Sequence, residues 1–168
     1  MTLNQLAGSV AMANKIWHYP WHKTYMLGAV ERSPKAKILG EVVVLRQGKP
    51  DFGLLLSRNQ ARASLKIQSL ARTFQATYIV FDLIYHRFES LLALPLWARR
   101  QRLEMVVRAC TNPRLVFSEG IVGEGRAFFE AVCAEGLKGV VAKRLDGRYR
   151  PERRAWIKIK PWSDGMTC

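Results

Sequence analysis

Acidic residues, cysteines and long apolar runs are all scarce in this sequence of 168 residues. The three cysteines, an odd number without metal-ligand spacing, argue against a disulfide framework and indicate free thiols of a reducing compartment. Apolar runs such as residues 42–45 fall far short of the roughly 20 residues that a membrane span needs. The N-terminus lacks the basic run followed by an apolar segment that marks a secretory signal. The sequence therefore predicts a cytoplasmic protein that has no membrane partner.

Positive charge is what the sequence has in excess. Lys and Arg number 27 against 13 Asp and Glu, which leaves a net charge of +14. A hydrophobic content of 49% excludes disorder and is enough for a core. Nine basic and two acidic side chains lie between residues 138 and 160, so half of the net charge falls there. This pattern favours a polyanion as partner, although a basic hairpin that is merely solvated has the same composition.

Strand-like and helix-like patterns mix irregularly along the chain. Strands are predicted over residues 38–45, 76–85, 115–117, 139–145 and 155–160. Helices are predicted after Asp51, after Pro95 and through Phe128 up to Gly136. Because no regular βαβ alternation is present, the fold class is α+β, with mainly antiparallel sheets and flanking helices.

Short motifs follow one another in a specific order. They are LGEVV at 39–43, FDLIY at 81–85, GVVAKR at 139–144 and WIKIK at 156–160. In this order and at these separations they resemble the adenylation domain of ATP-dependent DNA ligases, especially those of the bacterial end-joining type. The resemblance covers about residues 38–160. It implies an unassigned segment over 1–36, a partial ligase or capping-enzyme-type adenylation domain over 37–162, and a tail over 163–168.

The resemblance implies DNA strand joining in repair and recombination, with ATP and Mg²⁺ as cofactors and nicked or broken DNA as partner. In that family a lysine takes AMP from ATP, and the AMP then passes to a DNA 5′-phosphate and is displaced by a 3′-hydroxyl. By position, Glu41 resembles the carboxylate that contacts the ribose or a metal ion, and Phe81 resembles the aromatic residue that stacks on adenine. Lys158 and Lys160 resemble the lysines near the α-phosphate.

Basic side chains between the last two motifs suit contacts with the DNA backbone. They are Lys143, Arg144, Arg148, Arg150, Arg153 and Arg154. Arginine supplies 17 of the 27 basic residues, which favours bidentate phosphate contacts. Taken singly, each site residue has a plainer interpretation: Glu41 and the lysine pair could face solvent, and Phe81 could be core. Their joint arrangement is what favours the ligase interpretation.

The sequence departs from the family pattern at the nucleophile. The family places this lysine in Lys-x-Asp-Gly upstream of the position of Glu41, yet no aspartate precedes Asp51. Lys138 stands where the family has a metal-binding glutamate, which inverts the local charge. Family ligases also continue into an OB-fold, whereas this sequence ends at Cys168. We therefore expect an incomplete domain that is inactive as this chain alone, unless another chain supplies the missing motif.

Two other functions stay open at this point. One is a non-catalytic remnant that binds nucleotide or DNA through Phe81 and the basic hairpin. The other is a related RNA ligase or capping-type nucleotidyltransferase. The stretches around Pro95 and Tyr149 look more like DNA ligase than like either enzyme.

Overall fold

The computed structural model describes residues 36–137, 139–151 and 156–161. Its strands are β1 (Lys37–Arg46), β2 (Lys49–Pro50), β3 (Ala76–His86), β4 (Glu89–Ser90), β5 (Leu115–Phe117), β6 (Val140–Lys143) and β7 (Trp156–Ile159). Its helices are α1 (Phe52–Gln60), α2 (Ser64–Thr73), α3 (Leu96–Arg108) and α4 (Gly125–Ala134). No helix in these ranges is long and apolar enough to cross a membrane.

The main sheet has the strand order β2-β1-β3-β4, and β5 pairs with β3 in parallel. All other pairs are antiparallel, which confirms the predicted α+β class with mainly antiparallel sheets. Gly40 lies in β1 close to the backbone of β3: a Cβ there would lie 2.5 Å from the carbonyl oxygen of Ile79. Only glycine fits at this place.

The core lies between β3 and α3. Its fully buried cluster contains Val80 and Leu83 of β3, Leu103 of α3, and Leu91 and Leu115. Pro95 caps α3 with φ at −65°, the value that a proline ring imposes. Helix α3 packs beside β3, the strand that carries the FDLIY motif.

A second, two-stranded sheet is formed by β6 and β7. Its antiparallel register pairs Lys143 with Trp156 and Val141 with Lys158. Gly139, at φ +113°, lets the end of β7 approach, because a Cβ there would collide with the carbonyl oxygen of Ile159. This backbone conformation is one that residues with a side chain rarely adopt.

Backbone hydrogen bonds join the segment after β6 to the segment that enters α3. Leu96 N donates to Gly147 O over 2.9 Å, and Trp97 N donates to Leu145 O over 3.0 Å. Tyr149 N donates to Leu92 O over 3.1 Å. The two-stranded sheet is therefore fixed to the main sheet through the start of α3.

Some details differ from the sequence analysis. Helix α2 and the two-residue strands β2 and β4 are absent from the prediction. Strand β6 ends at Lys143 because a turn closes there, with Gly147 N donating to Arg144 O over 3.1 Å. Other predictions fall outside the described residues: those for the segment 1–35, for Lys138 and for the tail 163–168.

Candidate functional site

Phe81, Lys143 and Trp156 meet where β3 faces the two-stranded sheet. The Nζ atom of Lys143 lies 4.0 Å from the ring centroid of Phe81 and 3.8 Å from that of Trp156. The two rings form an edge contact with centroids 5.6 Å apart, and Tyr149 makes a similar contact with Trp156 at 6.0 Å. We call Phe81, Lys143 and Trp156 the aromatic pocket. It joins residues from three of the four sequence motifs.

Burial alters the charge of Lys143. Removal of its ammonium group from water lowers the pKa of Lys143 from 10.5 to about 8. The carboxylates of Asp82 and Glu41 oppose this change, whereas Arg100 and Arg99 add to it. At neutral pH the side chain is still mostly protonated, so it presents a cation beside two aromatic faces.

Asp82 forms a buried ion pair with Arg99 behind the pocket. The carboxylate oxygens accept from Nε and Nη2 of Arg99, both over 2.8 Å, and the two side chains are 0% and 1% exposed. A buried acid needs such a partner, and removal of one member of a buried pair commonly costs about 3–5 kcal/mol.

Arg100 fixes the backbone on the other side of Phe81. Its Nη1 donates to the carbonyl oxygen of Phe81 over 3.1 Å, and its Nη2 donates to the carbonyl oxygens of Ser118 and Glu119. The guanidinium also lies 4.7 Å above the ring of Phe117. Burial lowers the pKa of Arg100, the carboxylates of Asp82 and Glu104 offsetting part of this effect.

The other residues predicted to contact the nucleotide differ in burial. Glu41 is half-buried in β1, and its charge favours the protonated form of Lys143. Lys158 is exposed and shares one strand face with Trp156, because side chains two residues apart point the same way. Lys160 is exposed just beyond β7.

The arginines predicted to contact DNA lie in the connection between β6 and β7 rather than on the strands. Arg144, Arg148 and Arg150 are exposed. Arg144 is paired with Asp146 over 2.6 and 3.0 Å, which lowers the pKa of the Asp146 carboxyl group. Lys143 is separated from this group because it faces the aromatic rings. Arg153 and Arg154 lie outside the described residues.

Trp156 and the Asp82–Arg99 pair were not recognised as site residues from the sequence. Trp156 belongs to the WIKIK motif, but its place beside Phe81 depends on the register of β6 and β7. Asp82 carries a signal that could have been used: a lone acid inside an apolar strand needs a buried partner. Which of the 17 arginines supplies it is a matter of the tertiary fold.

In the described part of the chain, no three His, Cys, Asp or Glu side chains come together as a ready metal site. Mg²⁺ commonly uses only one or two carboxylates together with substrate phosphates. Of the acids whose charge acts on Lys143, Asp82 is already bonded to Arg99. Glu41 is the other of these acids. The carboxylates therefore fit a Mg²⁺ ion only if Glu41 binds the ion jointly with a phosphate group.

Residues 12–160 match the model of the ATP dependent DNA ligase domain, which is most of the chain. The chain belongs to this family. The match starts within the segment that the sequence analysis left unassigned, 25 residues before position 37. It contains every residue of the aromatic pocket.

Curated relatives of this DNA ligase family member include end-joining proteins. The multifunctional non-homologous end joining protein LigD of Pseudomonas aeruginosa is 36% identical over 123 residues, which are 72% of this chain and 14% of that protein. A DNA ligase of Thermococcus fumicolans is 33% identical over 143 residues, 80% of this chain and 25% of that one. The chain thus spans a quarter or less of the length of these relatives.

Solved ligase structures share the fold. A mycobacterial DNA ligase D, described as complexed with ATP and MES, has a TM-score of 0.64 and 29% identity, covering 86% of this chain and 43% of that one. The ligase domain of Mycobacterium tuberculosis LigD has a TM-score of 0.63 and 30% identity, covering 83% and 41%. The mixed helix and antiparallel-sheet fold of this chain thus matches part of the LigD ligase domains.

Proposed function

We propose that this chain forms part of the nucleotide-binding half of an ATP-dependent DNA ligase that acts in end-joining repair. The observation that carries the proposal is the aromatic pocket, in which Phe81 and Trp156 lie beside the cation of Lys143. Aromatic faces suit a purine base, and a fixed cation suits a phosphate. The mycobacterial ligase D with ATP supports the same use of the fold.

The surrounding residues complete this assignment. Phe81 would stack on adenine, while Lys143, Lys158 and Lys160 would bind the phosphates. Glu41 would hold Mg²⁺ jointly with those phosphates, and the ion would supply positive charge at the reacting phosphate. A phosphate close to Lys143 would stabilise its protonated form, so that the affinity for ATP falls as pH rises above about 8.

DNA contacts are assigned to the exposed arginines of the β6–β7 connection. Arg148 and Arg150 are exposed and offer bidentate contacts to phosphates. Arg144 can do so only in competition with Asp146. Nicked or broken DNA in the cytoplasm is the partner that suits this charge and the family.

We further propose that this chain alone binds ATP but does not become adenylylated. The sequence contains no Lys-x-Asp-Gly, the setting of the family nucleophile. Incubation with Mg²⁺ and ATP labelled on the α-phosphate is expected to leave the protein unlabelled. A labelled lysine would refute this part, and labelling only in the presence of a second chain would identify a partner that supplies the motif.

ATP binding is tested by calorimetry with the 168-residue chain. Phe81→Leu keeps an apolar side chain but removes the ring, and we expect a loss of affinity of about 5-fold to 100-fold, the range for base–aromatic stacking. Phe52→Leu, at a 56% exposed phenylalanine outside the pocket, is the matched control and should not change the affinity. Equal affinity of Phe81→Leu and the parent chain would remove the pocket from the proposal.

DNA binding is tested by a salt series with nicked duplex. Arg148→Gln and Arg150→Gln should each reduce the slope of log affinity against log salt by about 0.9, the value for one lost phosphate contact. Arg108→Gln, at an exposed arginine of α3, is the control. An unchanged slope in both loop variants would place the DNA contacts elsewhere.

A further inference from the structure

Arg99 is buried although the protein carries a large excess of positive charge. Its side chain is 1% exposed, and its guanidinium forms hydrogen bonds with three separate segments. Nε and Nη2 hold the carboxylate of Asp82, while Nη1 donates to Leu94 O over 2.6 Å and to Gly147 O over 3.1 Å. Arg99 is therefore not available to bind a phosphate.

Two of the segments that Arg99 joins carry residues of the aromatic pocket. Asp82 follows Phe81 directly in β3, and Gly147 belongs to the turn that leaves β6 at Lys143. One guanidinium thus links the strand that presents the ring to the hairpin that presents the ammonium group. Its fork geometry lets it satisfy a carboxylate and two carbonyl groups together.

The same ion pair acts on the charge of Lys143. Burial lowers the pKa of Lys143 most, the carboxylates of Asp82 and Glu41 raise it, and the guanidiniums of Arg100 and Arg99 lower it. Asp82 and Arg99 have opposite effects, although each is needed for the same hydrogen bonds.

We propose that Arg99 is a positioning residue for the aromatic pocket. By forming hydrogen bonds with both Asp82 and the turn at Gly147, Arg99 holds Lys143 against Phe81. The inference rests on the proposed function only in that the pocket is taken to bind a nucleotide; the role of Arg99 in holding the pocket together does not depend on it. Arg99 contacts no substrate in this arrangement; it acts through its two partners.

The test uses nuclear magnetic resonance of the 168-residue chain without nucleotide. Lys143 is followed through its pKa and through the upfield shift that the ring faces give to its ε-methylene protons, with Lys143→Arg to assign the signal. Arg99→Met should abolish the upfield shift and raise the pKa of Lys143 by about 1 pH unit, because it frees the cation from the rings and removes a neighbouring positive charge. Asp82→Asn breaks the same link and should also abolish the upfield shift. A variant that merely loses stability would keep both signals in its folded population.

Arg108→Met is the matched control, since it removes an exposed arginine from the same helix, and it should change neither signal. The double variant Asp82→Leu with Arg99→Met guards against unfolding, because an apolar pair often replaces a buried ion pair without loss of stability. In it the ε-methylene protons should lose their upfield shift, since the bond to Gly147 is gone. A folded double variant or folded single variants that keep this shift would overturn the proposal.

These measurements are independent of ATP binding. A chain that binds no ATP but whose variants lose the upfield shift would contradict the proposed function and leave the role of Arg99 intact. A chain that binds ATP and whose variants keep the upfield shift would contradict the role of Arg99 and leave the proposed function intact.

Discussion

The burial of Lys143 makes the stability of this protein depend on pH in an unusual direction. Its pKa is about 8 in the folded chain against an ordinary value of 10.5, so the folded state disfavours the protonated form. Below pH 8 both states carry the charge and the folded state bears the cost of burying it. As pH rises from 8 towards 10.5, the folded state loses the proton first and becomes more stable relative to the unfolded chain.

The size of the effect follows from the two pKa values. The difference between 10.5 and about 8 corresponds to roughly 3 kcal/mol. About 2 kcal/mol of this is gained between pH 8 and 10, which is large against the stability of a small domain.

Urea unfolding at intervals from pH 7.5 to 9.5 measures this gain. The upper limit avoids the titration of Tyr78. Burial raises the pKa of Tyr78 from 10.0 to about 12, so this residue lowers the stability of the fold only at pH values where tyrosine in the unfolded chain ionises. Lys143→Met should remove the rise while keeping apolar contact with the rings. Lys66→Met, at an exposed lysine of α2, should keep it. Parallel curves for the parent chain and Lys143→Met would refute the reasoning.

Three further substitutions test local features by urea unfolding. Gly139→Ala should cost about 2 kcal/mol or more, because φ is +113° and the added Cβ meets the carbonyl oxygen of Ile159; an unchanged midpoint would contradict the described hairpin. Phe88→Gly should stabilise by about 1 kcal/mol, since Phe88 has φ at +67° in the tight turn before β4, and a loss of stability would show that its side-chain contacts outweigh the strain. Asp51→Ala should cost about 1 kcal/mol, because Asp51 caps α1 by accepting from Leu54 N over 2.9 Å, and no change would rule out the cap.

Local signals explain why most of the secondary structure could be predicted. β-branched and aromatic residues mark β3, and Pro95 marks the start of α3, because these preferences act within a few residues. Helix α2 lacks such a mark: Ala63 at its N-cap makes no side-chain hydrogen bond, and none of its residues is buried. A helix on the surface without a cap leaves little trace in a sequence.

The site could be predicted only in part, for a geometric reason. The motifs carry Phe81 and Lys143, but these residues are 62 positions apart in the chain. Their contact depends on how the β6–β7 sheet docks on α3. The ion pair of Asp82 and Arg99 likewise joins a strand to a helix. Charge in a sequence also does not distinguish a buried arginine from an exposed one, whereas the structure separates Arg99 from Arg148.

The two-stranded sheet β6–β7 also determines how the pocket would open. A sheet of two strands is marginal by itself, so its order depends on the few hydrogen bonds at Leu96, Trp97 and Tyr149 and on Arg99. Local opening of this hairpin would break those bonds and carry Lys143 away from Phe81 while the main sheet stays closed. A ligand that contacts Phe81 and Lys143 together would bind only the closed form and would therefore raise the free energy of opening. Hydrogen exchange of the hairpin amides would then measure occupancy of the pocket directly.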